Sequence, residues 1–207
     1  MTRTVLCFGD SNTYGSIPGQ AGGRYDWDTR WPGVLARELG DGWRVVEEGL
    51  PGRTTVFEDP LAPYRRGTDY LPPCLGSHAP LDVVVIFLGT NDLKTRFAAG
   101  PYEIARGVGV LAEIAVASGS GPDGNAPRVL LLGLPSLAPI EQEGFEGAEE
   151  KAMGLPVVLE RVATELGAEL LPLENAVAYS PLDGIHLDVG GHAAIGTVVA
   201  QHLRGMF

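Results

Sequence analysis

Asp82-Val83-Val84-Val85-Ile86-Phe87-Leu88 is apolar at every position after Asp82, with no polar alternation. A strand of that kind is buried on both faces, which is the condition of a parallel sheet covered by helices. Outward from it, Thr4–Phe8 (TVLCF), Trp43–Val46, Val129–Leu132 and Glu169–Leu171 read as four further strands. Helical patterns separate them. Thr29–Leu39 has Thr29 or Arg30 near its cap, Pro32 in the first turn and Gly40 beyond its end. A short helix is expected near Tyr70–Ser77, after a long loop from Gly49 to Thr68. Pro101–Ala117 carries Ile104, Val108, Leu111 and Ala115 at helical spacing. Gly147–Leu166 reads as a broken helical stretch and Gly190–Leu203 as a last helix. Alternating strands and helices imply a three-layer α/β/α sandwich on a five-stranded parallel sheet. Right-handed crossovers favour the flavodoxin-like order 2-1-3-4-5. Residues 1–207 are expected to form one domain.

Composition narrows the partners without naming a reaction. The chain has 207 residues, 44% hydrophobic and 20% charged, the balance of an ordinary globular protein. Its formal charge of -11 argues against nucleic acid and anionic membranes, which need a basic patch. A neutral or cationic small molecule fits better. Two cysteines, Cys7 and Cys74, give neither a disulfide framework nor metal-ligand spacing. The first ten residues hold one basic residue and a short apolar run, too short for a signal peptide or a span. The expectation is a cytoplasmic protein with no membrane segment, no metal and no cofactor.

The segments at the strand ends are more informative. Gly9-Asp10-Ser11-Asn12 comes after the first strand, Glu48-Gly49-Leu50-Pro51-Gly52-Arg53 after the second and Gly89-Thr90-Asn91-Asp92 after the third. Asp183-Gly184-Ile185-His186 comes after the fifth and a loop. In the order 2-1-3 the first three clusters are neighbours on one edge, where sites of such sheets form. A serine hydroxyl needs a base to take its proton, and histidine titrates near working pH. Ser11 and His186 are such a pair. Asp183, three residues before His186, is close enough on a turn to accept the other imidazole N–H. The backbone N–H groups of Ser11 and Gly52 and the Asn91 amide are suitable donors for an oxyanion.

These four clusters resemble the signature blocks of the GDSL/SGNH hydrolase superfamily, which carry Ser, Gly, Asn and His; Ser11, Gly52, Asn91 and His186 match them in order. The stretches LCFGDSNTYG, EEGLPGRTT, LGTND-K and DGIHL, and LP-CL-SH-PLD between them, are similar to the arylesterase and acyltransferase branch. The resemblance implies a serine esterase with Ser11 as nucleophile, His186 as base and Asp183 as its orienter. It implies an oxyanion hole of Ser11, Gly52 and Asn91, a short acyl group on a small-molecule ester, and a homo-oligomer. Asn12, Leu93 and Ile185 are the expected lining of the acyl pocket, with the loop Leu134–Phe145. Tyr14–Trp27 is expected as a lid or subunit contact. Two positions depart from the pattern: Asn12 stands where many members have Leu, and Ser16 where efficient acyl-transferring members have a large aromatic residue.

Other readings compete for the same residues. Asp10 and Asp92 are expected to hold turns by accepting backbone N–H groups, and His192 to pack or cap; the lesser, competing reading of Asn91 is a cap on the helix that follows. Arg53 is expected to pair with Asp59 and order the long loop, with contact to substrate as the competing reading. A flavin- or phosphate-binding module would use Ser11, Thr13, Gly15 and Ser16 and leave Asp183, His186 and Asn91 idle. A metal phosphoesterase would use Asp10, Asp92, Asp183 and His186 but lacks the further histidines. A catalytically silent scaffold would keep the fold alone.

Overall fold

A computed structural model describes residues 2–140 and 142–207. Five parallel strands, β1 (Arg3–Gly9), β2 (Trp43–Gly49), β3 (Val83–Phe87), β4 (Arg128–Leu132) and β5 (Glu169–Leu171), form one sheet in the order β2-β1-β3-β4-β5. The helices are α1 (Ser11–Tyr14), α2 (Trp31–Leu39), α3 (Gly67–His78), α4 (Pro101–Ala117), α5 (Ala148–Leu166) and α6 (Val189–Met206). The three-layer α/β order expected from the sequence is the observed one.

Side chains alternate across a strand, and here both faces meet helices. Leu6, Phe8, Val84 and Ile86 pack with Leu71 and Leu75 of α3, Ile104 and Leu111 of α4 and Leu159 of α5. Val5, Cys7, Val83, Val85 and Phe87 pack with Trp31 and Leu35 of α2 and Ile195, Val199 and Leu203 of α6. All of β3 is buried. No helix among the described residues is long and apolar enough to cross a membrane.

Three of the differences from expectation have clear physical reasons. β2 runs on through Glu47 and Glu48 because both carboxylates find partners: Glu47 meets Arg24 at 2.6 Å and Arg30 at 2.7 Å. Glu48 meets His78 at 2.9 Å and Tyr70 at 3.1 Å. α5 is one continuous helix through Pro156, anchored by Leu155, Leu159 and Val162. Ser11 opens a short helix rather than a bare turn.

The register sets the working edge. Gly9 lies opposite both Gly49 and Phe87, so β1, β2 and β3 end at one level. The segments after them therefore emerge side by side.

Candidate active site

Asp10 shapes the first of these segments. Its buried carboxylate accepts the backbone N–H of Asn12 at 2.8 Å and so caps α1, leaving Ser11 in the first turn. The second oxygen of Asp10 accepts from Asn91 Nδ2 at 3.2 Å, which ties the end of β1 to the end of β3. Burial pushes the Asp10 carboxyl up to about 6. Asp92 is likewise pushed up to about 6 by burial; it accepts the Thr55 N–H at 3.0 Å and the Thr55 hydroxyl. Both aspartates lie beneath the surface of the site.

Asp183–His186 arrives from the loop after β5. Gly184 takes φ +80°, and a Cβ there would meet the Ala138 and Pro139 carbonyl oxygens at 2.8 Å, so the turn needs a glycine. Asp183 Oδ1 accepts the N–H groups of Ile185 and His186 at 3.2 and 3.0 Å. Its Oδ2 lies 2.9 Å from His186 Nδ1 and accepts the Gly19 N–H at 2.9 Å. Partial burial alone would raise this carboxyl, but the hydrogen bonds from His186 and Gly19 outweigh it and hold it below the usual aspartate value. His186 Nε2 stands 3.0 Å from Ser11 Oγ. The result is a continuous chain from carboxylate through imidazole to hydroxyl.

Asn12 closes the assembly from below. It is 1% exposed; its amide donates to the Ile185 carbonyl at 3.0 Å and its oxygen accepts the Leu187 N–H at 3.0 Å. Asn12 therefore locks the histidine loop onto α1 and does not line the cavity, contrary to the expectation from sequence. Leu93 is also fully buried, in the core beneath the site. Of the three residues expected to line the acyl pocket, Ile185 alone lines the cavity that contains Ser11.

Ser11, Gly52, Asn91, Asp183, Ile185 and His186 share a cavity of about 400 Å³. Gly52 sits there at φ +81°. Among the described residues, the N–H groups of Ser11 and Gly52 donate to no protein acceptor, so both remain available to a bound oxygen. Asn91 Nδ2 bonds Asp10 and, at 3.1 Å, the Arg53 carbonyl. Asn91 is not a helix cap: it lies inside the 3-10 turn Asn91–Leu93. Ser16, Ile17 and Gly19–Gly22 form one wall, from the Tyr14–Trp27 segment. Lys94, Gln142 and Phe145 form another. Lys94, the last residue of the LGTND-K stretch, is a lining residue to which the sequence reading gives no role. Within the loop Leu134–Phe145, residue 141 lies outside the described residues.

Two polar residues expected nearby act otherwise. Arg53 does not pair with Asp59, which is held by Arg96 at 3.0 Å. Arg53 is 2% exposed, donates to the carbonyls of Gly9 at 2.7 Å and of Glu48, and lies over the Phe8 ring. It thus binds the ends of β1 and β2 together. His192 is fully buried, and its Nδ1 accepts the Trp31 N–H at 3.2 Å, capping α2. Desolvation pulls its pKa down to about 4, consistent with a neutral ring that can accept.

Among the described residues the one group with donors close enough for a metal is Glu48, Cys74 and His78; Asp10, Asp92, Asp183 and His186 do not form one. A second cavity, about 390 Å³ beneath α5, is lined by apolar residues such as Leu88, Val108 and Leu159 and contains neither Ser11 nor a histidine.

Residues 7–194 match the model of the GDSL-like lipase/acylhydrolase family. The whole chain superposes on an aryl esterase of M. smegmatis with a TM-score of 0.94 and 38% identity, covering 100% of each chain. A carbohydrate acetylesterase from Sinorhizobium meliloti matches with the same TM-score of 0.94, 38% identity and 100% coverage of both chains. A carbohydrate acetylesterase family member from the same organism matches at 32% identity and a TM-score of 0.92, covering 99% of each chain. No curated protein matches the chain.

Proposed function

The chain belongs to the GDSL-like lipase/acylhydrolase family and is a carboxylic ester hydrolase, and from that premise we propose that it cleaves short-chain, acetyl-like esters through an acyl-enzyme on Ser11. The observation that carries the reading is the Asp183–His186–Ser11 chain, with spacings of 2.9 and 3.0 Å, open to a cavity. Ser11 Oγ attacks the ester carbonyl while its proton passes to His186 Nε2. Asp183 keeps the Nδ1–H tautomer and stabilises the imidazolium that forms. Negative charge develops on the carbonyl oxygen, and the N–H groups of Ser11 and Gly52 and the Asn91 amide receive it. His186 then protonates the leaving alcohol, and the C–O bond to that alcohol breaks. Water enters, gives its proton to His186 and attacks the acyl carbon; the proton returns to Ser11 Oγ as the acid departs. An alcohol in place of water yields acyl transfer; Ser16 supplies no aromatic wall to keep water out.

Aryl and carbohydrate acetyl esters are the substrates named for the structural neighbours, and they are the leaving groups to try first. The test uses phenyl acetate, phenyl butanoate and phenyl octanoate with the wild type and Ser11→Ala. The expected result is a preference for acetyl and butanoyl esters, loss of nearly all activity in the variant, and fluorophosphonate labelling of the wild type alone. A variant that keeps a large fraction of the rate removes Ser11 as nucleophile, and a wild type that neither turns over nor labels is a silent scaffold.

A further inference from the structure

The cavity beside Ser11 holds a cation that the reaction itself does not require. Lys94 closes the 3-10 turn Asn91–Leu93. Residues three apart in such a turn eclipse each other, so Lys94 shares the face of Asn91 and lines the same cavity. Its side chain is 11% exposed. The carboxylate next to it is already engaged: Asp59 accepts from Arg96 at 3.0 and 3.2 Å and from the Leu61 N–H at 3.0 Å. Lys94 Nζ stands 3.9 Å from Asp59, beyond hydrogen-bond distance. Two cations therefore share Asp59 as their nearest carboxylate, while the buried Asp10 and Asp92 act on Lys94 from farther off. Among the described residues Lys94 Nζ donates no hydrogen bond to protein, though an ammonium has three donors to place.

The proposed esterase chemistry assigns the other walls, and the inference rests on it. A tetrahedral intermediate at Ser11 has four substituents. One is Ser11 Oγ. The oxyanion takes the corner of Gly52 and Asn91. The leaving oxygen must face His186, beside the Ser16–Gly22 wall. The acyl chain is left with the wall of Lys94, Gln142 and Phe145. Lys94 Nζ lies 5.8 Å from the Phe145 ring centre, so this wall pairs an apolar surface with a charge.

We propose that Lys94 forms an anion subsite at the end of the acyl pocket, selecting esters whose short acyl chain ends in a carboxylate, the half-esters of small dicarboxylic acids. Such a carboxylate supplies the acceptor that Lys94 lacks. Burial pulls Lys94 below the usual lysine value, and an anion held against it opposes that shift. The chain as a whole is acidic, at -11. A preference for an anionic acyl group therefore needs a local cation, because the long-range field repels it.

The experiment compares monoethyl malonate, succinate and glutarate with ethyl propanoate, butanoate and pentanoate, at physiological ionic strength. In the wild type at least one half-ester is expected to exceed its neutral counterpart in kcat/KM by about tenfold, the scale of one charge-assisted hydrogen bond. Lys94→Met removes that preference ratio and Lys94→Arg retains most of it. Succinate inhibits hydrolysis of ethyl acetate competitively in the wild type and at least several-fold more weakly in Lys94→Met. Wild-type turnover of the neutral esters with no half-ester preference overturns the subsite and leaves the esterase reading intact. A preference that survives Lys94→Met also overturns it. Absence of turnover on every ester would instead defeat the esterase reading.

Discussion

Asn91 Nδ2 has two amide hydrogens and already meets two protein acceptors, Asp10 Oδ2 and the Arg53 carbonyl, so the oxyanion role proposed for it requires one hydrogen to be shared with the substrate oxygen. The two protein acceptors fix the amide before substrate arrives, which is the preorganisation an oxyanion donor requires. Charge on the substrate oxygen exists only as the new bond forms, so the donor acts on the transition state more than on the ester. Asn91→Ala should lower kcat by about 10²–10³ with little change in KM. It also removes a bond to Asp10, so a modest fall in melting temperature is expected. Kinetics and melting measured on the same variant separate the two roles, and a normal kcat with a lowered Tm would leave Asn91 purely structural. Ser11, Gly52 and Asn91 are legible in the sequence because each comes after the carboxyl end of a strand. Asn12 and Leu93 are misread there because neighbours in a helical turn point to different faces. One residue on in an α-helix is a rotation of about 100°, so Asn12 turns away from the cavity that Ser11 faces. The same logic, with a three-residue period, marks Lys94 as the residue to pair with Asn91.

Elements place these residues through close backbone contacts that a motif does not reveal. A Cβ on Gly49 would stand 2.1 Å from the Tyr14 backbone nitrogen. α1, which carries Ser11, thus rests directly on the end of β2. Gly52 is different: its nearest neighbour to an added Cβ is 3.7 Å away, and its constraint is the positive φ. Gly49→Ala cannot be relieved by turning a side chain, since the obstacle is backbone. It should destabilise by about 1–3 kcal/mol, as overpacking does, and should also lower kcat by shifting Ser11 from His186. Thermal melting and kcat on this variant check both parts; a lowered Tm with unchanged turnover would uncouple α1 placement from catalysis. The strand and helix pattern was legible because β3 and the faces of α4 are plainly apolar. The end of β2 was not, because Glu47 and Glu48 look like loop residues until Arg24, Arg30, His78 and Tyr70 close on them.

At the scale of the molecule, three buried titratable groups couple stability to pH, and they do not act in the same direction. Asp10 and Asp92 are each pushed up to about 6, so the folded chain binds their protons more tightly than the unfolded chain, whose aspartates titrate near 3.8. Their contribution is greatest below about 3.8 and is lost as pH rises through about 6. His192 is pulled down to about 4 from 6.5, so its contribution is present above 6.5 and lost as pH falls through about 4. Between roughly pH 4 and 6 the folded state carries an extra proton on each aspartate and lacks one on the histidine. The net excess is one proton, and this set loses about 1.4 kcal/mol per pH unit on going up. Asp92→Asn isolates one member. An asparagine oxygen can still accept from Thr55, which now bonds Asp92, while the charge that burial penalises is gone. The variant should therefore gain on the wild type as pH rises from about 4.5 to 7, by roughly 2 kcal/mol for one carboxyl. Denaturant unfolding of both proteins at the two pH values gives the difference directly. A stability gap that stays constant with pH would mean that Asp92 ionises in the folded chain as easily as in the unfolded one.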